Sequence, residues 1–590
     1  MKLATLWLAA ALAGGVCATS SVAAELSTVA ERSGFSKTGR YQEVIDLCIE
    51  FQRAYPHAVR CIEFGRTPEG RPMHALIAST SGALDAPQAR QRKLPVLLVQ
   101  GGIHAGEIDG KDAGFLALRQ VLDDKAAKGA LAKQVLLFVP VFNVDGHERF
   151  GAWNRPNQRG PEAMGWRTTA QNYNLNRDYA KADSAEMQAM LRLVNEWDPI
   201  ATIDLHVTNG AKFEHDIAVM VEPLHAGDAG MRRAGLKFRD AVIADLSKQG
   251  SLPLSFYPSF TDYADPTSGF VDGVSPPRFS LGYFQLRNRF AMLVETHAWK
   301  DYPTRVRSTR NTVIAVLKEV AAHGDEWIKL AAAADLAATQ LAGKPIELEY
   351  TATAATREIE FRGYAYTRTP SAISGTLVTR YDETKPQIWR VALRDQIEAS
   401  RSATAPTAGY LVPAAHAAWV AERLDRHAID YRRIETASSH VAVQTFRASK
   451  ATPATAPVEG HLRMSLEGAW TDERRDLTAG ALFVPIAQSK ARLLMALLEP
   501  QAPDSLAAWG EFNNAFEAKE YMEAYVAEEV AQAMLAKDPA LVQAFSKRLA
   551  EDKEFAASPS LRLEFFHRLH PSWDEQYNLY PVLRTATVPK

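Results

Sequence analysis

Four short, nearly unbroken apolar runs punctuate the first half of the chain, at residues 96–99, 135–141, 200–205 and 290–294. Longer stretches with helical apolar spacing, such as 112–123 and 185–196, lie between them. Continuous apolar runs bounded by helices are the pattern of strands buried on both faces, so the spacing predicts an α/β domain in which a mixed β-sheet is sandwiched by helices. Ahead of these, residues 41–54 have helical spacing, and residues 59–77 read as two strands joined by a turn at 66–71.

Downstream of a helical stretch at 311–340 the pattern loosens. Ile346, Leu348 and Tyr350 alternate with Glu347 and Glu349, a helix is expected near 416–426, and 448–457, rich in Ala, Thr, Lys and Pro, reads as a linker or exposed loop. Residues 462–498 mix strand-like and helical segments, and 509–548 read as mostly helical. The expected division is therefore an α/β domain over 25–340, an α+β accessory region over 341–447 and a mostly helical C-terminal region over 458–590. A length of 590 residues agrees with more than one core, and 47% apolar with 23% charged residues describes a globular chain, not a disordered one.

The N-terminus has a different character. Met1 and Lys2 precede an apolar run over 3–16, and Val22, Ala23 and Ala24 supply the small residues of a cleavage site. This is a signal-peptide layout over 1–24, which predicts an exported protein, periplasmic or secreted. No later run has the roughly twenty apolar residues of a spanning helix, so no membrane insertion is expected after cleavage. Cys48 and Cys61 remain; thirteen positions apart, they could pair in an oxidising compartment or stay as buried thiols. With 67 basic against 69 acidic residues there is no global field to gather nucleic acid.

Polar chemistry starts where each of the four apolar runs stops: His104 after the first, Asn143 and Asp145 after the second, His206 after the third and Glu295 after the fourth. Ligand sites of open α/β sheets collect at the carboxyl ends of strands. In the glycine-rich segment Gly101-Gly102-Ile103-His104-Ala105-Gly106-Glu107, His and Glu are three apart, a spacing that lets an imidazole and a carboxylate converge on one ion if the segment turns helically. Catalytic zinc takes three protein ligands and leaves a position open, and His206 in Asp204-Leu205-His206 offers the third. Glu295 in Leu293-Val294-Glu295-Thr296 offers a general base.

In this order, His-x-x-Glu, then Asn176-Arg177, then a strand-end His and a strand-end Glu, the chain resembles the M14 family of zinc carboxypeptidases over roughly residues 40–325. The resemblance implies one zinc ion per chain held by His104, Glu107 and His206, with Glu295 activating water. It also implies that Asn176 and Arg177 grip the substrate's terminal carboxylate, a task suited to the planar guanidinium. Trp166-Arg167 is similar to the family element whose Arg polarises the scissile carbonyl, with Arg155 and Arg159 as alternatives. Tyr263, ahead of Gly269-Phe270-Val271-Asp272, is similar to the family's mobile Tyr, with Tyr283 as its rival.

The implied activity is hydrolysis of C-terminal peptide bonds, so the partner is a peptide or protein C-terminus. On the same fold, a murein peptide or small amide could be the substrate. From another class, a non-catalytic peptide- or glycan-binding protein would keep the fold without turnover. Cys48 and Cys61 lie away from every cluster, and no Gly-x-Ser-x-Gly elbow marks a serine hydrolase.

Overall fold

The computed structural model describes residues 26–589, so the signal-peptide reading of 1–24 lies outside the described residues. The chain forms two compact units. The first takes the chain up to Ser275, then Phe279–Ala334 and Ala352–Glu398; the second takes Pro276–Arg278, Asp335–Thr351 and the chain from Ala399 onward.

The first unit is built on an eight-stranded mixed sheet of β1 (Val59–Arg66), β2 (Pro72–Ala78), β3 (Val96–Gly101), β4 (Val135–Val139), β5 (Ala201–Val207), β6 (Ile217–Glu222), β7 (Pro253–Leu254) and β9 (Phe290–Thr296), in the order β1-β2-β4-β3-β5-β9-β6-β7. The four strands expected from the apolar runs are its centre, and they run parallel as β4-β3-β5-β9. Every residue of β3, β4 and β5 is buried, which is why these strands read as continuous apolar runs and not as alternation. From β3 the chain passes to β4 on one side and then back across to β5 on the other. The carboxyl ends of β3 and β5 therefore flank a point where the winding reverses, the place where a crevice opens in such sheets.

Helices Tyr41–Ala54, Asp109–Leu122, Ala185–Trp197 and Ala229–Lys248 each turn a buried apolar stripe inward. The Cys48–Cys61 pair is a disulfide, with Cα atoms 5.3 Å apart, linking the Tyr41–Ala54 helix to β1.

The first unit also contains a long hairpin, β11 (Arg357–Pro370) and β12 (Leu377–Arg394), which pairs through β12 with the short β8 (Phe270–Val271). The units thus divide the chain differently from the boundaries expected at 340/341 and 447/458. Phe361, Trp389, Val391 and Leu393 of the hairpin share one buried cluster with Phe213, Phe256, Phe260 and Phe270. That cluster is what joins residues 357–394 to the first unit.

The second unit holds the two-stranded pair β10 (Pro345–Ala352) and β13 (Ile397–Thr404). Its main sheet has six strands: β14 (Gly409–Val412), β15 (Arg432–Arg433), β16 (Ser438–Pro453), β17 (Met464–Leu477), β18 (Leu482–Pro485) and β19 (Leu579–Thr585), in the order β15-β18-β14-β19-β16-β17. Helices Ala524–Lys537 and Pro539–Glu551 occupy the stretch read as helical, and strands β17, β18 and β19 stand in the same region. Residues 448–453, expected as linker, continue β16 and pair with β17. Residues 449–453 are exposed or half-buried, so no apolar alternation marked them. No helix among the described residues is long and apolar enough to cross a membrane.

Candidate metal centre and active site

The reversal point carries the site. β3 ends at Gly101, and Gly102, at φ 62°, turns the chain in a left-handed conformation that favours glycine. His104 and Glu107 follow in one tight turn, closed by the Glu107 amide donating to the His104 carbonyl at 2.9 Å, before the Asp109–Leu122 helix begins. β5 brings in Asp204 and His206, and β9 brings in Glu295.

These side chains converge and are buried. His104 Nδ1 lies 3.1 Å from Glu107 Oε1, and His206 Nδ1 lies 3.1 Å from Glu107 Oε2. The two imidazoles stand edge to face, 4.9 Å between centroids. One ligand atom from each of His104, Glu107 and His206 falls within 4.8 Å of the others. Three buried polar atoms of these side chains have no hydrogen-bond partner: His104 Nδ1, His206 Nε2 and Glu295 Oε2. An orphaned ring nitrogen beside a carboxylate and a second imidazole is the donor set of a catalytic zinc site, so these residues fit the ion.

Electrostatics follow from burial and proximity. Burial lowers the His104 pKa to about 4, leaving the ring neutral. Burial pushes Glu107 upward, but His104 and Arg155 outweigh it and hold the carboxyl well below the usual range. For His206, burial opposes the charged form, and Asp204, Glu107 and Glu295 overcome it to raise its pKa well above the ordinary value. Glu295 is pushed up to about 8 by burial, with Glu107 and Asp204 adding to the shift.

A further layer of polar contacts orients the rings. Asn174 Oδ1 lies 3.0 Å from His104 Nε2. Asp204 Oδ2 lies 2.9 Å from His206 Nε2, within ion-pair reach though off a hydrogen-bond axis. Asp204 is itself held by Ser280 Oγ at 2.7 Å and Gln100 Nε2 at 3.0 Å, and the Tyr179 hydroxyl donates to Gln100 Oε1 at 3.0 Å. Carboxylates placed behind ligating histidines fix ring orientation and raise ligand basicity.

Two arginines reach Glu107 Oε1: Arg155 Nη1 at 3.0 Å, buried, and Arg167 Nη1 at 3.3 Å, partly exposed. Arg159, the other alternative, pairs instead with Glu383. Asn176 is buried with its Oδ1 unpartnered, and its amide donates to Asn174 Oδ1, so this turn touches the His104 ring through Asn174. Arg177 lies over the Phe279 ring, 4.1 Å from its centroid, and donates to the Asn176 carbonyl at 2.7 Å.

The tyrosines are placed differently from the spacing. Tyr263 is 83% exposed and its hydroxyl meets Ser259 Oγ at 3.1 Å. Tyr283 is wholly buried against Tyr179. Tyr257 is the tyrosine that feels the site: burial raises its pKa, with Glu295 and Glu107 adding to the shift and the Asn209 backbone opposing it. Tyr257, Asn174 and Asp204 are the neighbours that sequence reasoning did not select for these places, and Arg155 was an alternative to Arg167. Only Asp204, two residues before His206 on the same face of a strand, carried a local signal.

Residues 44–213 match the family model described as zinc carboxypeptidase, a span that includes His104, Glu107, Asn176, Arg177 and His206 but not Glu295. Over this segment the chain is similar to the zinc carboxypeptidase family. Mouse (Mus musculus) carboxypeptidase A4 is 28% identical to this chain over 142 residues, 22% of this chain and 32% of the mouse protein. The match thus spans about a third of the curated relative's length. Among solved structures, the metallo-carboxypeptidase from Burkholderia cenocepacia overlaps 47% of this chain and 68% of its own at 17% identity and a TM-score of 0.34. Carboxypeptidase A from Helicoverpa armigera overlaps 51% and 75% at 16% identity and a TM-score of 0.35. At that level the likeness carries no residue's role across.

Proposed function

We propose that this protein is an exported zinc-dependent carboxypeptidase that hydrolyses C-terminal peptide bonds, with His104, Glu107 and His206 as metal ligands and Glu295 as general base. The observation that carries this reading is the convergence of three buried ligand atoms beside a buried carboxylate oxygen that has no hydrogen-bond partner. A zinc ion held there supplies a Lewis acid and lowers the pKa of water.

The chain's own residues supply the rest. Glu295, buried with Oε2 unpartnered, would take a proton from water at that oxygen and return it to the leaving amine. Arg155 and Arg167, both on the Glu107 side of the site, are placed to steady negative charge growing on a carbonyl oxygen. Arg177, with Asn176, is proposed to take the substrate's terminal carboxylate. Export rests on the 1–24 layout and is supported by the Cys48–Cys61 disulfide, which suits an oxidising compartment.

The test is release of single C-terminal amino acids from a mixed peptide library by the purified protein, beside a chelator control and the Glu295→Gln variant. Release that both treatments abolish supports the reading. Zinc bound at one equivalent with no release from any peptide overturns it, and the same preparation would then be assayed on muropeptides and small amides.

A further inference from the structure

The β11–β12 hairpin lies beyond the residues that match the family model, yet it is hydrogen-bonded into the two loops that reach the site. On one side it meets the loop that follows His206. Phe213 bridges Gly363, the Glu214 amide donates to the Arg362 carbonyl at 2.9 Å, and the Arg362 amide donates to His215 Nε2 at 3.4 Å. On the other side it meets the 256–271 loop through Leu393↔Phe270 and Arg394↔Val271, and the Asp272 amide donates to the Arg394 carbonyl at 2.9 Å.

The space between is filled by aromatic rings. Phe361 lies 5.2 Å from Phe213, 4.6 Å from Phe270 and 5.6 Å from Trp389, centroid to centroid. Two glycines are shaped to this seat. A Cβ on Gly363 would overlap the Trp389 indole, and Gly269, at φ 76°, would overlap the Ala392 carbonyl if it carried one.

Both loops deliver groups to the site. Asn209, three residues after His206, accepts from Arg155 Nη2 at 3.3 Å, and Arg155 in turn contacts Glu107. Tyr257 sits between Phe256 and Phe260, both buried in the hairpin's cluster, and its hydroxyl feels Glu295, Glu107 and the Asn209 backbone. We infer that Phe361 and Trp389 are positioning residues: the hairpin clamps the 207–216 and 256–271 loops together so that Tyr257 and Asn209 meet beside Glu107 and Glu295. The inference rests on the peptidase reading for its catalytic consequence, although the clamp itself is a property of the fold.

The experiment uses the full chain with Trp389→Ala, Trp389→Phe and Gly363→Ala, reading hydrogen exchange, zinc content and the separation of kcat from KM. Trp389→Ala is expected to speed exchange in 207–216 and 256–271 by about tenfold or more, leaving β3, β5 and β9 and one equivalent of zinc intact. It is expected to lower kcat by about tenfold, with Trp389→Phe restoring most of the loss and Trp389→Ala adding little on a Tyr257→Phe background. Should Trp389→Ala fail to fold, Gly363→Ala, which displaces the indole, is read in the same way. Unchanged exchange in both loops in a folded variant overturns the clamp. If the wild-type protein releases no amino acid, the peptidase reading fails, while the exchange result still decides the clamp.

Discussion

Glu295 on β9 stands directly opposite His206 on β5, paired in register across two parallel strands, so the proposed base and the proposed third ligand share one face of the sheet. The pairing fixes their separation through backbone hydrogen bonds and not through loop geometry. Replacing Glu295 by Gln preserves shape and removes the proton acceptor. Peptide hydrolysis is expected to fall by about 10²- to 10⁴-fold while zinc content stays at one equivalent, read by steady-state kinetics beside metal analysis.

Asp204 sits behind His206 and is held by Ser280 and Gln100. Asp204→Asn is expected to weaken zinc binding by roughly 10- to 100-fold, measured by chelator competition. Unaltered affinity would show that the carboxylate does not support the ligand.

Arg155 is buried against Glu107, whereas Arg159 pairs with Glu383. Arg155→Ala is expected to lower kcat by about 10²-fold or more, and Arg159→Ala to leave it within about threefold. The tyrosines divide similarly: Tyr257→Phe should lower kcat/KM measurably, and Tyr263→Phe should not, because Tyr263 is exposed.

Glu186, wholly buried with neither carboxylate oxygen hydrogen-bonded to another side chain or amide, has its pKa raised from 4.5 to about 7 by burial, with Asp145 and Asp178 adding. The folded state therefore binds this proton more tightly than the unfolded state does. Stability is greatest below about pH 4.5 on this account and is lost as the pH rises toward 7, by at most about 3 kcal/mol. Glu186→Gln should raise Tm at pH 8 and change it little at pH 5, read by thermal scans at both.

The Cys48–Cys61 disulfide closes a short loop, thirteen positions apart, so the double Cys→Ser variant should lose about 3 kcal/mol of stability in denaturant unfolding.

The central sheet was legible because β3, β4, β5 and β9 are buried on both faces and so wrote unbroken apolar runs into the chain. His104, Glu107, His206 and Glu295 were legible because each follows or ends one of those runs. Tyr257 was not, since its place depends on Phe256 and Phe260 packing against Phe361 and Trp389, more than a hundred residues away. Arg155 was one of three candidates until the fold turned Arg159 toward Glu383. The division of residues 341–590 was hidden for a related reason: over most of their length β12 and β17 are exposed or half-buried, and only short stretches of each alternate buried apolar with exposed polar positions.

The first unit is written in pieces along the chain, with 335–351 belonging to the second unit before 352–398 return to the first. A single proteolytic nick therefore cannot release the first unit whole; only with a further cut after 398 would the hairpin become a separate fragment, held by its pairing, its aromatic cluster and ion pairs such as Arg368–Asp265. During synthesis, which runs from the N-terminus, the ribosome will have delivered all of His104, Glu107, His206 and Glu295 well before Trp389 emerges. Early in the life of each molecule the proposed metal ligands and base precede the strands that pack around Tyr257.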